Sequence, residues 1–173
     1  MTAKVPIDAH LLVACQHGDR EAFRRLFDLY RDRVYSIAIH VLGVEAAAKD
    51  ATQQVFLRLL SEIRRFRGEA QFSTWLYRLV VNACLDERRR QRRFVGGPPP
   101  ERAQRPGQED AVLARQVASA LAALPDKLRI PLVLRHVEGL SYEEIATVLH
   151  CSAGTVASRL NRGHAALARL RGE

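Results

Sequence analysis

Near the C-terminal end, five residues have the side chains and spacing to read base edges. At about 100° per residue, Gly154, Thr155, Ser158, Asn161 and Arg162 fall on one side of a helix, with Arg169 further along. That side carries no large apolar residue, and the small Gly154 and Ser158 allow close approach to a groove. An asparagine amide can address adenine, and a guanidinium can address guanine or phosphate. The opposite side holds Val156, Leu160, Gly163 and Leu167. Just upstream, Ser141-Tyr142-Glu143-Glu144 has the form of a capping box. Ile145, Ala146, Val148 and Leu149 then give a short helix an apolar face, His150-Cys151-Ser152 is a three-residue turn, and Ser152 caps the final helix. This pattern predicts a helix-turn-helix from Ser141 to Gly163 whose second helix enters the major groove of duplex DNA. The rival is a plain helical hairpin with a solvated face; cap, turn and polar face coinciding favours the DNA reader.

A second constellation lies mid-chain. On the helix predicted after Ser73, Leu76, Leu79, Val80 and Ala83 share one face, and Trp75, Arg78, Asn82 and Arg89 share the other. An indole, an amide and two guanidinium groups together can stack on bases, hydrogen-bond them and hold a backbone, as single-strand recognition requires. The preceding Arg67-Gly68-Glu69-Ala70-Gln71 loop can hold an extruded base. The run Arg88-Arg89-Arg90-Gln91-Arg92-Arg93 suits backbone contact. Trp75 taken alone fits a core anchor equally well. One helix earlier, Ala51, Val55, Phe56, Leu59 and Ile63 form an apolar side, while Asp50, Gln54, Leu57 and Ser61 line a stripe within about 60° of arc. Leu57 thus stands in the middle of polar residues, as an interface anchor would.

The elements that must position these residues are all helical, and no strand or hairpin pattern occurs. Four helices are expected in the first half. The first spans Asp8 to Gly18. The second opens at Asp19, buries Phe23, Leu26, Phe27, Tyr30, Val34, Ile37, Ala38 and Val41, and stops at Gly43. The third runs from Glu45 to Phe66. The fourth is capped by Ser73, with Phe72 and Tyr77 as a hydrophobic staple, and runs into the basic stretch. Phe94 to Glu109, with four of the seven prolines, reads as a flexible linker. After it, Asp110 caps a helix burying Leu113, Val117, Leu121 and Leu124, and Pro125-Asp126 opens another that ends near Gly139. Pro131 conflicts with that helix and predicts a later start or a kink. The expected architecture is therefore all-α: a domain over residues 1–93, a Pro/Gly-rich linker over 94–109, and a helix-turn-helix domain over 110–173. Such a linker does not by itself fix the spacing of the two domains.

The 173-residue chain carries 27 Lys and Arg against 19 Asp and Glu. That excess points to an anionic partner, nucleic acid before a membrane surface. No apolar run approaches a spanning length, and Met1 to Gln16 lacks a signal-peptide layout, so a cytoplasmic protein is expected without membrane insertion. Cys15, Cys84 and Cys151 are odd in number and form no CxxC pair, which favours inert buried thiols over a metal site. No cofactor or small-molecule substrate is implied.

The motifs resemble those of a known family, the extracytoplasmic-function sigma factors of bacterial RNA polymerase. Gly139-Leu140-Ser141-Tyr142-Glu143-Glu144-Ile145-Ala146 and Cys151-Ser152-x-Gly154-Thr155-Val156-x-Ser158-Arg159-Leu160 resemble the family's last conserved region. Gly18-Asp19-x-x-Ala22-Phe23 is similar to its first. Asp50-x-x-Gln53-x-Val55-Phe56-Leu57 resembles its polymerase-binding segment. Phe66-Arg67-Gly68-Glu69-Ala70-x-Phe72-x-Thr74-Trp75-Leu76-Tyr77-Arg78 with Asn82 resembles its promoter-melting segment. The resemblance implies a dissociable polymerase subunit without catalysis. Its first domain would bind core polymerase through Asp50, Gln53, Gln54, Leu57 and Ser61. The same domain would recognise and open the minus-ten element with Arg67, Gly68, Trp75, Arg78, Asn82 and Arg89. The second domain would read the minus-thirty-five duplex with Gly154, Thr155, Ser158, Arg159, Asn161 and Arg162. An anti-sigma factor is the implied inhibitory partner. Three positions depart from the family pattern: Gln54 replaces an acidic residue, Ala157 a basic one, and His150 stands where Gly or Asp is common.

A one-component helix-turn-helix regulator would share the C-terminal motif. An enzyme acting on nucleic acid finds no support: there is no glycine-rich phosphate loop, no Ser-His-Asp order and no pair of acids at metal-ligand spacing.

Overall fold

The computed structural model describes residues 7–94 and 109–170. These form eight α-helices and one 3-10 turn: α1 Ala9–Gln16, α2 Arg20–Leu42, α3 Glu45–Glu62, the turn Ile63–Arg65, α4 Phe72–Phe94, α5 Glu109–Ala123, α6 Asp126–His136, α7 Tyr142–Leu149 and α8 Ala153–Leu170. The all-helical expectation holds. The segment between α4 and α5 lies outside the described residues, but Phe94 and Glu109, the two ends of the expected linker, are helical.

Local chemistry sets the boundaries. Asp8 and Asp19 cap α1 and α2 by accepting hydrogen bonds from exposed first-turn N–H groups. Gly43 ends α2 at φ 73°, a left-handed conformation that favours glycine. The third helix is shorter than predicted, because α3 tightens into the 3-10 turn at Ile63. The fourth begins earlier: the Trp75 N–H bonds to the Gln71 carbonyl, so Ser73 is inside the helix and not its cap. The expected Phe72–Tyr77 staple is likewise replaced. Phe72 packs against Tyr30, Phe66 and Trp75, while Tyr77 turns to Glu138.

In the second half, α5 starts at Glu109, so Asp110 is not its cap. Leu121 and Leu124 are buried as expected, but Val117 is 47% exposed. The side chain of Leu113 is outside the described residues. α6 passes through Pro131 without the later start expected for it. The bond lost there is the one to Lys127, an exposed residue near the helix start whose carbonyl can take water.

The two halves share one hydrophobic core, a packing the linker alone did not imply. Polar contacts hold the seam. Arg129, 1% exposed, donates to the carbonyls of Leu121, Ala122 and Leu124 at the end of α5 and to that of Val41 at the end of α2, all at 2.6–2.7 Å. These carbonyls lie at helix ends, where those of Leu121 and Val41 also accept from the Leu124 N–H and Arg88 Nη1, and the cation sits at the negative ends of two helix dipoles. The buried Tyr77 hydroxyl donates to Glu138 Oε2 at 2.7 Å, and Arg33 lies 3.5 Å from the same oxygen. Burial pushes the Glu138 carboxyl above its ordinary range, opposed by the Tyr77 hydrogen bond and the Arg33 charge. Asp126 on α6 pairs with Arg88 at 2.7 Å and Arg92 at 3.1 Å on α4.

Candidate nucleic-acid interface

The helix-turn-helix is built as its residues require. Ser141 Oγ accepts from the Glu144 N–H, and the Glu144 carboxylate accepts from the Ser141 N–H at 2.8 Å, completing the capping box. α7 ends at His150, which is left-handed at φ 51°. The N–H groups of His150 and Cys151 both donate to the Ala146 carbonyl. This conformation explains why Gly or Asp suits the position, and histidine is among the residues that tolerate it. Ser152 then caps α8 through the Thr155 N–H at 3.1 Å.

Val156, Leu160 and Gly163 of α8 are buried. Gly163 is needed for close packing on α6: a Cβ there would lie 2.8 Å from Leu132 Cδ1. α8 is thereby pressed onto the core with its other side outward. Gly154, Ser158, Asn161 and Arg162 are exposed on that side. Thr155 is half-buried, its hydroxyl 2.9 Å from that of Ser152. Arg162 lies along its own helix, Nε donating to the Ser158 carbonyl at 3.3 Å. Arg159 sits apart from this group: it is half-buried and reaches back toward Cys151 Sγ at 3.9 Å.

On α4 the predicted faces are as expected in outline. Leu76, Leu79, Val80 and Ala83 are buried, while Asn82 and Arg89 are exposed. Trp75 combines both readings: it is half-buried, its ring 5.1 Å from that of Phe66 and 5.8 Å from that of Phe72. The Arg67–Gln71 loop is anchored from α1, where Gln16 Nε2 donates to the carbonyls of Ile63 and Phe66. Arg67 is exposed, and Gly68 turns the loop at φ 73°. Arg78 is half-buried and donates to the Thr147 carbonyl of α7 at 3.2 Å. Arg89 pairs with Asp86, which also binds Arg58 of α3.

The α3 stripe is exposed at Asp50, Gln53, Gln54, Leu57 and Ser61, with Asp50 Oδ2 3.7 Å from Arg90. Leu57 is 53% exposed, and Leu60 joins it at 55%. Both border an apolar groove of about 460 Å³ between α2 and α3, whose lining includes Phe23, Phe27, Tyr35 and Phe56. Sequence reasoning placed Phe23 and Phe27 in the core and passed over Leu60. Phe23 and Phe27 are only partly buried. The i, i+3 spacing of Leu57 and Leu60 is the signal that marks this edge.

Cys15 and Cys84 are buried and Cys151 is half-buried. Burial pushes the Cys84 thiol up to about 12, so at neutral pH it is an unreactive thiol. Among the described residues no helix is long and apolar enough to cross a membrane.

Residues 26–94 match the Sigma-70 region 2 family and residues 114–167 match Sigma-70, region 4. The chain is 32% identical over 174 residues to the ECF RNA polymerase sigma factor SigW of Bacillus subtilis, covering 87% of this chain and 89% of that protein. It is 37% identical over 168 residues to the ECF RNA polymerase sigma factor SigM of Mycobacterium tuberculosis, covering 95% and 85%. Its fold is similar to the sigma factor RpoE of Bartonella quintana, solved with the anti-sigma factor NepR. The TM-score is 0.76 at 22% identity, covering 87% of this chain and 96% of that one.

Proposed function

The chain belongs to the extracytoplasmic-function sigma factors, non-catalytic initiation subunits of bacterial RNA polymerase, and we propose how its two halves divide promoter recognition. The first domain, residues 1–93, docks on core polymerase through Asp50, Gln53, Gln54, Leu57 and Ser61. Leu60 and the groove floored by Phe23, Phe27 and Phe56 extend that surface, an apolar anchor ringed by polar groups. The same domain opens the minus-ten element with Arg67, Gly68, Trp75, Arg78, Asn82 and Arg89. The second domain, residues 110–173, reads the minus-thirty-five duplex with Gly154, Thr155, Ser158, Asn161 and Arg162. Arg159 serves a flanking or bracing role, since it turns toward Cys151. The protein works in the cytoplasm, and an anti-sigma factor is its inhibitory partner.

The observation that carries this reading is the capped helix-turn-helix, which presents Gly154, Ser158, Asn161 and Arg162 outward from a helix held by Gly163. Small and bidentate side chains together on one exposed face suit base edges in a major groove. Purified protein added to sigma-free core polymerase is expected to start transcripts at a defined promoter. A one-component regulator would yield none without a second sigma factor, and that result would overturn the assignment.

A further inference from the structure

Two histidines of the second half take no part in the promoter contacts. His136 is the last residue of α6, and His164 lies within α8. Both are exposed, and their Nε2 atoms are 2.8 Å apart. We infer that the pair is a two-histidine site for a divalent transition-metal ion, copper(II) before zinc(II), which staples the recognition helix α8 to α6. The site goes beyond the promoter reading and does not depend on it.

Core packing presets the spacing of the two ligands. Gly163, next to His164, makes the close approach to α6: a Cβ there would lie 2.8 Å from Leu132 Cδ1, and Leu132 stands one turn before His136. The backbones beneath the imidazoles are thus already held together, so little order has to be gained on binding. Metal–nitrogen bonds of about 2.0–2.1 Å put two ligand nitrogens about 2.9 Å apart at a right angle and about 3.3 Å apart at a tetrahedral one. The observed 2.8 Å is nearer the first. That is the angle of tetragonal copper(II), which also heads the affinity series of divalent ions. The ring centroids lie 5.1 Å apart, so the Nε2 atoms point nearly at one another. Seating an ion therefore takes a tilt of two exposed rings and no movement of either helix.

The surrounding chemistry suits a cation. A hydrogen bond between the rings needs one Nε2–H. On binding, that proton passes through water to Nδ1 of the same ring, leaving both Nε2 lone pairs for the metal. Burial first, then the charges of His164 and Arg135, lowers the His136 pKa, which keeps this ring a neutral ligand near neutral pH. His136 also stands at the negative end of α6. Its neighbour Arg135 is engaged elsewhere, with Nη1 donating to the Leu140 carbonyl at 2.8 Å and the guanidinium over the Tyr142 ring. His164 lies about 100° around α8 from the centre of the face formed by Gly154, Ser158, Asn161 and Arg162, so a bound ion leaves that face open.

The test titrates the full chain with copper(II) chloride, followed by calorimetry and by the nitrogen hyperfine signal of the copper. One ion per chain with two imidazole nitrogens is expected. His136→Gln and His164→Gln should each weaken uptake by at least the 10–100-fold that losing an outer-shell partner costs, roughly. His17→Gln and Cys151→Ser, which change other exposed or half-buried donors, should leave it unchanged. Copper should also slow hydrogen exchange of the α8 amides in wild type and in neither histidine variant. Circular dichroism checks helicity, and either histidine variant carries the test if the other loses it. Equal uptake by wild type and the histidine variants overturns the site, as does uptake lost in His17→Gln or Cys151→Ser, or none in wild type. Uptake at the pair without slower α8 exchange overturns the staple.

Discussion

Arg129 Nη1 donates to the Val41 carbonyl at 2.6 Å, so one buried guanidinium on α6 closes the C-terminal end of α2, 88 positions earlier in the chain. Its other donors close the end of α5. The carboxylate of Asp126 is 3.9 Å away, too far to be its main compensation. The charge is stable in the interior because helix-end carbonyls with unused lone pairs surround it.

Replacing Arg129 by Met should therefore strip four helix-end carbonyls of this donor while keeping most of the volume. The expected loss is about 3–5 kcal/mol, since each buried acceptor left unsatisfied costs about 1–3 kcal/mol. In a chain of this size that lowers the melting temperature by roughly 6–20 °C. Lys at this position should rescue little, since one ammonium cannot reach two helix ends. A melt followed by circular dichroism with less than a 2 °C change would refute this account of the seam.

Much of the helical pattern was legible because amphipathic spacing is local information. The buried faces of α2, α3 and α4 follow from it, and so does the capping box at Ser141. Arg129 was not legible. It interrupts the apolar run Leu128 to Leu134, and its partners are carbonyls, which any residue carries. Leu57 was singled out as exposed, but the groove beside it needs α2 and α3 together, so Phe23 and Phe27 were placed in the core. The helix starts at Phe72 and Glu109 were missed for a related reason: a polar residue near a helix start is a cap only if the backbone turns there.

His150 is the one non-glycine among the described residues with positive φ. A left-handed L-residue costs about 1–2 kcal/mol, offset by the extra chain entropy glycine loses on folding. His150→Gly should therefore stabilise the protein by about 0.5–1 kcal/mol, or roughly 1–4 °C. His150→Val should destabilise it, because a β-branched side chain tolerates this conformation poorly. Equal melting temperatures for the Gly and Val variants would show that the turn is not strained.

The rings of His136 and His164 meet with Nε2 atoms 2.8 Å apart. Such a contact needs at least one neutral ring. Burial first, then the charges of His164 and Arg135, lowers the His136 pKa from its usual 6.5. A lowered histidine means that the unfolded chain takes up the proton more readily. The His136 contribution is thus intact above pH 6.5 and is lost as pH falls through that value toward the depressed one. His164→Gln keeps a hydrogen-bonding partner and removes one charge. Its melting temperature should fall less than wild type's between pH 7 and about 5.5; parallel curves would exclude the pair as the source.

Leu57 and Leu60 are more than half exposed and border the α2–α3 groove. Truncating either to Ala should alter stability by less than about 0.5 kcal/mol. If the groove edge is the polymerase anchor, each should weaken core binding by about 1–2 kcal/mol, roughly five- to thirty-fold. Fluorescence anisotropy with labelled protein and core polymerase would measure it. Unchanged affinity in the double variant would move the docking surface elsewhere on the first domain.

Trp75 and Asn82 separate structure from function on the α4 face. Trp75, on α4, lies in a three-ring cluster with Phe66 and Phe72, which flank the loop that carries Arg67 and Gly68. Asn82, two turns on, is exposed. Trp75→Ala removes about half of a buried aromatic and should cost about 2 kcal/mol of stability, less than the 3–5 kcal/mol of a fully buried ring. Asn82→Ala should cost less than about 0.5 kcal/mol. If both side chains face the opened strand, both variants should lose permanganate reactivity of promoter thymines in the polymerase complex. The loss should persist at a temperature where each remains folded, with duplex binding by α8 unaffected. Trp75→Phe should restore the stability, because a ring still packs on Phe66, but only part of the opening, because the smaller ring stacks less on a base. Opening that tracks stability across all three variants would make Trp75 a core residue alone, and normal opening by Asn82→Ala would remove the amide from the strand contact.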